Sequence, residues 1–200
     1  MSKLAINKSS LKKQRDQLKL FQRFLPSLDL KRQQLMTELK QSQEQLVVAE
    51  DEINQLTKSL TGLMKPLGAY EIDLANLVTI DQVEIEEENV VGVRLPVARE
   101  VKFRTAEYSL LAKPFWVDFL VEFLQRSCTM RIHLQVRRER VKKLEIAVRR
   151  TTQRVNLFEK VLIPNAQTNI KQIQIGLAEE ERSAVVRSKI AKKKRALLEA

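Results

Sequence analysis

A seven-residue repeat of apolar side chains constrains this sequence more than any other feature. From Leu11 to Leu63 the first (a) and fourth (d) positions of each heptad fall on sixteen residues, of which thirteen are apolar. The three polar exceptions, Gln14, Arg32 and Ser42, are scattered along the repeat. A register held over so many heptads predicts a helix about 80 Å long that supercoils with a partner helix through one narrow seam.

The first helix has recognisable signals at its start, inside it and at its end. Residues that can cap its start are Asn7, Ser9 and Ser10. Its end is marked by a cluster of turn formers, Gly62, Pro66 and Gly68. Pro26 lies inside the repeat, where it removes a backbone donor. Because the seam keeps its register past this proline, the sequence predicts a kink there and not a break.

A second heptad repeat begins after Pro114, a residue suited to the first turn of a helix. Between Leu120 and Leu162, ten of the thirteen a and d positions are apolar. After Pro164 the apolar stripe resumes one residue out of phase, at Ala166, Ile170, Ile173, Leu177 and Ala184. A slip of one residue predicts that the supercoil is locally loosened at this point.

The period changes between residues 64 and 114, where apolar residues alternate with polar ones. Two such runs, 83–85 and 91–97, are separated by the acidic residues 87–89, which predicts a β-hairpin with its turn there. A third run around Val101 and Phe103 is compatible with a strand or the start of a helix. Because an isolated hairpin is marginally stable in water, we expect it to pack against the base of the helices.

These patterns predict a mainly all-α fold, a long antiparallel two-helix left-handed coiled coil with a small middle region that contains the β-hairpin. The predicted segments are an N-terminal helix (1–63), the middle region (64–114) and a C-terminal helix (115–200), together one elongated unit. If the helices fold back with equal rise, Leu11 lies near residue 172. Residues beyond about Gly176 then overhang. A mostly polar overhang predicts a partner outside this chain.

No motif of catalysis or metal binding is present in the sequence. A phosphate-binding loop, a dinucleotide fingerprint and paired-cysteine spacing are all missing, and His133 is the only histidine. His133 and the single cysteine, Cys128, are predicted to have structural or surface roles. We therefore expect no enzyme activity, no cofactor and no metal. Without an apolar run of a signal peptide or membrane span, the chain is expected to be soluble and cytoplasmic.

The formal net charge of +11 is unevenly spread over the sequence. It amounts to +4 in residues 1–63, −3 in residues 64–114 and +10 in residues 115–200. The basic cluster in residues 137–154 is compatible with a solvated flank of the coiled coil or with a surface for an acidic partner. Nucleic acid is a weaker alternative, because the charges spiral round the helix without aromatic residues for base stacking.

The C-terminal helix contains a distinctive block of residues, Arg154, Val155, Asn156, Glu159, Ile163, Pro164, Ile170 and Ile173, followed by Glu179 to Arg182 and by Lys189. Further motifs are Asn7-Lys8 ahead of spaced leucines, Lys31-Arg32 with Leu35, and residues 88–96. Together these motifs resemble those of one family, the D subunits that form the central rotor stalk of V-type and A-type rotary ATPases, and the first block is the most specific match. Residues 24–30 depart from the pattern of many members, as expected of a divergent bacterial branch.

The resemblance implies that the chain is a non-catalytic rotor shaft. It would couple ATP hydrolysis or synthesis in a ring of A and B subunits to ion translocation by the membrane rotor. Further partners would be the small F subunit of the stalk and the funnel-shaped subunit that caps the membrane rotor. The complex would lie at the membrane, with this chain peripheral and not inserted. The alternatives are a stand-alone coiled-coil scaffold and a basic nucleic-acid-binding coiled coil.

Two sets of contact residues follow from this implied role. Candidates for contact with the ring, all in the overhang, are Leu177, Arg182, Arg187, Lys189, Ile190 and Lys192. Candidates for docking another part of the stalk, all in the hairpin, are Val83, Ile85, Val91, Val93 and Leu95. The change of period and of charge in the middle region favours a docking or regulatory role for the hairpin.

Overall fold

The computed structural model describes residues 5–63, 77–105 and 116–198 of the chain. The described residues form the helices α1 (Lys8–Leu63), α2 (Trp116–Leu157) and α3 (Ile163–Leu198), and the strands β1 (Val78–Val90) and β2 (Val93–Thr105). A π-helix, Phe158–Leu162, joins α2 to α3 without interruption. The predicted fold class is confirmed, since the chain is mainly helical with a small antiparallel hairpin in the middle. Pro66, Gly68 and Pro114 lie outside the described residues.

Helix α1 begins at the cap that the sequence suggests. The backbone N–H of Ser10 donates to Oδ1 of Asn7 at 2.6 Å, which satisfies one of the amides that have no partner in the first helical turn. Helix α1 then continues through Pro26 to Leu63, as the unbroken seam predicted.

The chain divides into two compact units, each built from parts distant in sequence. Unit 1 comprises residues 1–31 and 150–200, and unit 2 comprises residues 32–149. These units group the residues differently from the three segments predicted in chain order, and that division stays a prediction.

Unit 1 is an antiparallel pair of helices. The rings of Phe21 and Phe158 meet edge to face with their centroids 5.5 Å apart. Farther along, Nδ2 of Asn169 approaches Oε1 of Gln14 at 3.5 Å. At the end of the pair, Ile6 lies so close to Gly176 that an added Cβ would be 2.7 Å from its Cγ2 atom. Residues nearer the start of α1 thus contact residues nearer the end of α3, as in an antiparallel pair.

The predicted seam is confirmed by burial in both units. Every a and d position of the two heptad repeats that the structure describes is buried or half-buried. The narrow seam explains the small number of fully buried side chains, because each helix turns most of its surface to solvent.

The π-helix absorbs the one-residue slip of the apolar stripe. The backbone N–H of Ile163 donates to the carbonyl oxygen of Phe158, five residues back, so this turn holds one residue more than an α-turn. Pro164 has no N–H to donate to the carbonyl of Lys160, which accounts for the departure from the α-helix at this place. Val155 before the π-helix and Ala166 and Ile173 after it are all buried. The extra residue of the π-helix therefore keeps the apolar side chains before and after Pro164 on the same side of the helix, facing the seam.

Unit 2 places the hairpin alongside its own pair of helices. At the start of β1, Leu77 packs in a cluster with Val117, Leu120 and Val121 of α2. At the other end of the hairpin, Leu95 shares a cluster with Leu35 and Leu144, and partly buried residues pack against this cluster, namely Leu39, Val90, Val91, Val93, Ala147 and Val148. A thirteen-residue strand spans about 43 Å, close to the length of α2 between these two clusters. The hairpin thus packs against the base of the helices, as predicted, and also against a second cluster farther along them.

The hairpin is confirmed, but the predicted position of its turn at residues 87–89 is wrong. Glu87, Glu88 and Asn89 belong to β1 and pair with Pro96, Leu95 and Arg94. The turn consists of Val91 and Gly92, with φ angles of 51° and 78°, as a two-residue hairpin turn with positive φ at both positions requires. The third alternating run is a strand, since Val101 pairs with Val83 and Phe103 with Ile80.

Val91 holds a backbone conformation that β-branched residues rarely adopt. Such conformations cost of the order of 1–3 kcal/mol and persist where the surrounding contacts hold them. Here the side chain of Val91 packs against the cluster of Leu35, Leu95 and Leu144. Packing of the hairpin tip on the helices thus offsets the strain in its turn.

Candidate functional site

The exposed end of α3 is the part of unit 1 that lacks a partner helix among the described residues. Leu177 is half-buried, whereas every residue from 178 to 195 is exposed. The helix continues to Leu198, about 30 Å beyond Gly176. We call residues 178–198 the free arm. The described structure thus contains the overhang that the unequal helices predict.

The free arm combines basic and apolar side chains and carries no chemically reactive cluster. The predicted ring-contact residues in it are all exposed, namely Arg182, Arg187, Lys189, Ile190 and Lys192. Val185 and Val186, one turn before Ile190, are each 54% exposed. The arm therefore presents apolar side chains next to basic ones, a combination that suits contact with another protein.

The residues of the family-like block gather around the π-helix. Val155 and Ile173 lie in the seam, and Asn156 and Ile170 are half-buried beside it. Arg154, Glu159 and Pro164 are exposed. The buried members therefore hold the helix pair together, and the exposed members are available to a partner.

The hairpin residues predicted to dock a partner differ in what remains available. Leu95 is fully buried, and Val91 and Val93 pack against the same internal cluster. Val83 is half-buried, and Ile85 is 54% exposed. The tip of the hairpin therefore packs against the chain's own helices, and Ile85 has the most accessible of these five side chains.

Arg140 joins three elements of unit 2 through one guanidinium group. Its Nη2 atom donates to Oε1 of Glu38 on α1 at 2.6 Å, and its Nη1 atom donates to Oε2 of Glu88 on β1 at 2.9 Å. Burial acts to lower the pKa of Arg140, but the hydrogen bonds to the two glutamates outweigh this effect and raise the pKa above its ordinary value. The arrangement fixes the hairpin to both helices by charge as well as by packing.

The charged pairs also define the sides of the seam. Glu38 and Arg140 both occupy heptad position g, while Glu50 and Arg138 both occupy position e. Nη2 of Arg138 donates to Oε1 of Glu50 at 2.8 Å. Each side of an antiparallel pair therefore brings like positions together, g with g and e with e.

We expect Arg140→Ala to destabilise the protein more than Arg138→Ala. Only 17% of the Arg140 side chain is exposed, against 60% for Arg138. Loss of Arg140 leaves the partly buried carboxylate of Glu38 unpaired, which we expect to cost about 2–3 kcal/mol. The exposed pair with Glu50 contributes about 0–1 kcal/mol. Urea unfolding followed by circular dichroism at 222 nm measures both values, and equal effects would contradict the bridging role of Arg140.

Other reactive side chains show no grouping in the described residues. His133 and Cys128 are both half-buried on α2. Within residues 5–63, 77–105 and 116–198, no three His, Cys, Asp or Glu side chains gather as a metal site would require. Among the same residues, no helix has an apolar stretch of the length that crossing a bilayer demands.

Sequence reasoning missed two features that the structure brings to light. The π-helix left a signal, the one-residue slip after Pro164, although a slip alone does not say how the backbone absorbs it. The bridge of Glu38, Arg140 and Glu88 left none, because its members are far apart in the sequence and meet only through the position of the hairpin.

Comparisons with known proteins agree with the resemblance over nearly the whole chain. The family model that describes the D subunit of ATP synthase matches residues 10–193. The V-type ATP synthase D subunit of Borreliella burgdorferi is 35% identical over 192 residues, which cover 96% of this chain and 95% of that protein. The protein of the same name from Chlamydia muridarum is 32% identical over 196 residues, 96% of each chain. This chain belongs to the family of ATP synthase D subunits.

Proposed function

We propose that this chain is the central rotor shaft of a V-type or A-type rotary ATPase. It couples ATP hydrolysis or synthesis in a ring of A and B subunits to ion translocation by the membrane rotor. Membership of the D-subunit family supports this role. The structural observation that carries it is that, within the described residues, the helix pair makes its last close contact at Gly176, after which α3 continues as a free arm.

The free arm lies inside the ring in this proposal. Its apolar residue Ile190, together with Leu177 just before the arm, meets the inner surface of the ring, and Arg182, Arg187, Lys189 and Lys192 face acidic side chains. A shaft acts on three chemically identical sites only if it contacts them differently at any instant, because a ligand shifts an equilibrium by its differential affinity. A single helix beyond the end of a pair is one-sided and supplies that difference.

The shaft takes part in catalysis without carrying it out. No phosphate-binding loop is present in the sequence, so ATP is bound and hydrolysed by the ring. The hairpin side of unit 2 faces the small F subunit of the stalk, with Ile85 and Val83 as contacts, and the funnel-shaped subunit lies towards the membrane. The chain is thus a cytoplasmic, peripheral part of a membrane complex.

The test is a pull-down of the tagged full-length chain from its own cells in mild detergent, with identification of the proteins that co-purify. We expect the A, B and F subunits in defined ratio, and ATP hydrolysis that disappears when the chain is purified alone. Recovery of the chain with only copies of itself would favour a scaffold. Recovery with nucleic acid, lost steeply as salt is raised, would favour the basic nucleic-acid-binding alternative.

A further inference from the structure

The hairpin is anchored at its two ends to different parts of the helix pair. Just before β1, Leu77 packs against three buried residues of α2, namely Val117, Leu120 and Val121. At the tip, Leu95 packs with Leu35 of α1 and Leu144 of α2, and all three are fully buried. Among the described residues, the first anchor thus holds α2 alone, whereas the tip holds both helices.

The two anchors lie on opposite flanks of α2. Val117 and Val121 occupy heptad positions e and b, while Arg140, which the hairpin contacts near its tip, occupies position g. Val136 lies between the anchors at position c, which points away from the seam, yet only 9% of it is exposed. A side chain at this position of a two-helix pair faces water unless a third element covers it. Its burial agrees with a hairpin that runs across the outer face of α2 from one flank to the other.

The hairpin has little capacity to lengthen between its anchors. The thirteen residues of β1 rise about 3.3 Å each, and a fully stretched chain reaches at most about 3.6 Å per residue. Cross-strand pairing from Val78 with Thr105 to Val90 with Val93 also holds the two strands together. A link that starts on α2, ends on both helices and cannot stretch opposes movement of α1 along α2.

Bending is the movement that makes two paired helices slide. When the pair bends in its own plane, the outer helix follows a longer path than the inner one. With axes about 9 Å apart, a bend of about 10° makes the helices slide by about 1.6 Å, roughly the rise of one residue. Leu95 is fully buried between side chains of both helices, and a gap of about 0.5–1 Å already loses a quarter to a half of a contact energy. The contacts at the tip therefore resist bending.

We propose that the hairpin is a tie that prevents α1 and α2 from sliding past each other and so stiffens unit 2 against bending. This inference deepens the proposed function and rests on it, because a shaft that carries force between a ring and a membrane rotor must not bend under load. The tie is formed by residues that face the chain's own helices. It is therefore compatible with contacts of the exposed Ile85 with another subunit.

The test begins with a variant of the full-length chain in which the tip is loosened. The tip variant carries Glu88→Gln, Val90→Thr and Val93→Thr. The first substitution removes the ion pair of the hairpin with Arg140 and leaves the pair of Arg140 with Glu38 in place. The other two add a polar group to side chains that pack against the cluster at the tip.

A second triple variant, with the same kinds of substitution away from both anchors, is the control. It carries Glu86→Gln, Ile80→Thr and Ile85→Thr. Glu86 pairs with Arg99 inside the hairpin, and the two isoleucines are 49% and 54% exposed. Threonine favours strands as valine and isoleucine do, so both variants are expected to keep the hairpin. Far-ultraviolet circular dichroism checks the helices of each.

Sliding is measured between spin labels at one exposed position on each helix, Gln34→Cys on α1 and Arg131→Cys on α2, in a chain that carries Cys128→Ser. Because Leu35 shares a cluster with Leu144, the two labels are offset by about 21 Å along the pair. With this offset, a slip of about 1.6 Å changes the distance between the labels by about 1 Å.

We expect the distribution of label distances to be wider by about 1 Å in the tip variant than in the wild type, and unchanged in the control variant. Glu88→Gln alone is expected to widen it by less. A second measurement uses the assembled complex, with the ring fixed to a surface and a gold rod attached through Lys58→Cys. There we expect larger angular fluctuations of the rod in the tip variant than in the wild type or the control.

The outcomes separate the tie from the proposed function. Wild-type label distances in the tip variant, or equal widening in both triple variants, would overturn the tie. Wider label distances without larger fluctuations of the rod would overturn its role in stiffening the shaft. Failure of the wild type to bind the ring would overturn the proposed function, and the label distances would still decide whether the tie exists.

Discussion

A chain that ends at Gly176 is expected to fold and to join its partners, but to lose most of the coupling between ATP hydrolysis and ion transport. The truncation removes the last 24 residues, including the whole free arm. Among the described residues, Ile6 and Gly176 make the last close contact of the helix pair, and the truncation removes only the half-buried Leu177 from the apolar stripe, so the fully buried residues of unit 1 are untouched. The loss falls on the surface that the proposed function places inside the ring.

Single charge removals in the free arm are expected to be mild by comparison. The arm is exposed throughout, and an exposed ion pair contributes about 0–1 kcal/mol, or at most about a fivefold change. Contacts in a turning shaft must also be re-formed in each dwell, so none of them can be very strong. We therefore expect the ratio of ions transported to ATP hydrolysed to stay within about fivefold of the wild-type value in Arg182→Ala. In the truncated chain we expect this ratio to fall at least tenfold.

ATP-driven ion transport and ATP hydrolysis by the reconstituted complex measure both effects, with assembly checked on native gels. The informative quantity is the ratio of ions transported to ATP hydrolysed. Full coupling after truncation would contradict the role of the free arm. Complete loss on Arg182→Ala in an assembled complex would replace distributed contact with a discrete site at Arg182.

The second large effect is a difference in stability between two single-residue deletions, one on each side of Pro164. Deletion of Lys160 removes the extra residue of the π-helix, and Pro164→Ala in the same chain allows a continuous α-helix. Ala166 and Ile173 then fall on regular d positions, in phase with Val155. We expect this variant to be at least as stable as the wild type.

Deletion of Lys171, again with Pro164→Ala, is the matched control. Lys160 and Lys171 are both exposed, so the two variants have the same charge and lose similar side chains. The second deletion turns Ile173 and Leu177 by about 100° away from the seam. Because Ile173 is fully buried, we expect a loss of about 2–4 kcal/mol and a fall of about 10 °C in the midpoint of thermal unfolding. Equal midpoints for the two deletions would contradict the compensating role of the π-helix.

The sequence predicts the helices of this protein far better than its hairpin, for a physical reason. A heptad seam is a local, repeated pattern, and every described a and d position of the two repeats is buried or half-buried. The hairpin turn could not be placed in this way. Its position depends on Val91, a residue with an unfavourable backbone conformation that packing against the cluster of Leu35, Leu95 and Leu144 offsets.

The candidate contact surfaces were predictable to different degrees. The overhang follows from the lengths of the two repeats, so candidate residues for contact with the ring could be proposed from the sequence, and that assignment stays a prediction. The exposed apolar side chains on the paired helices of unit 1 could not, since Leu20 and Leu157 attract notice only once their exposure is known. Val93 and Leu95 fit a docking strand by their alternation, yet the helices of unit 2 bury them, which alternation alone does not reveal.

The contact between Ile6 and Gly176 has a consequence for the local unfolding of α3. Glycine is a weak helix former, and Gly176 stands at the last close contact that α3 makes with the start of the chain in the described part of the structure. A helix of about twenty residues without packing is marginal in water, so the arm should unfold locally at a small free-energy cost while the seam stays intact. Its amides would then exchange with solvent long before those around Ile173. If the arm lies inside the ring as proposed, binding there must supply the free energy of ordering the arm, which weakens each contact and shortens its lifetime. A shaft that releases every site in turn benefits from that weakness.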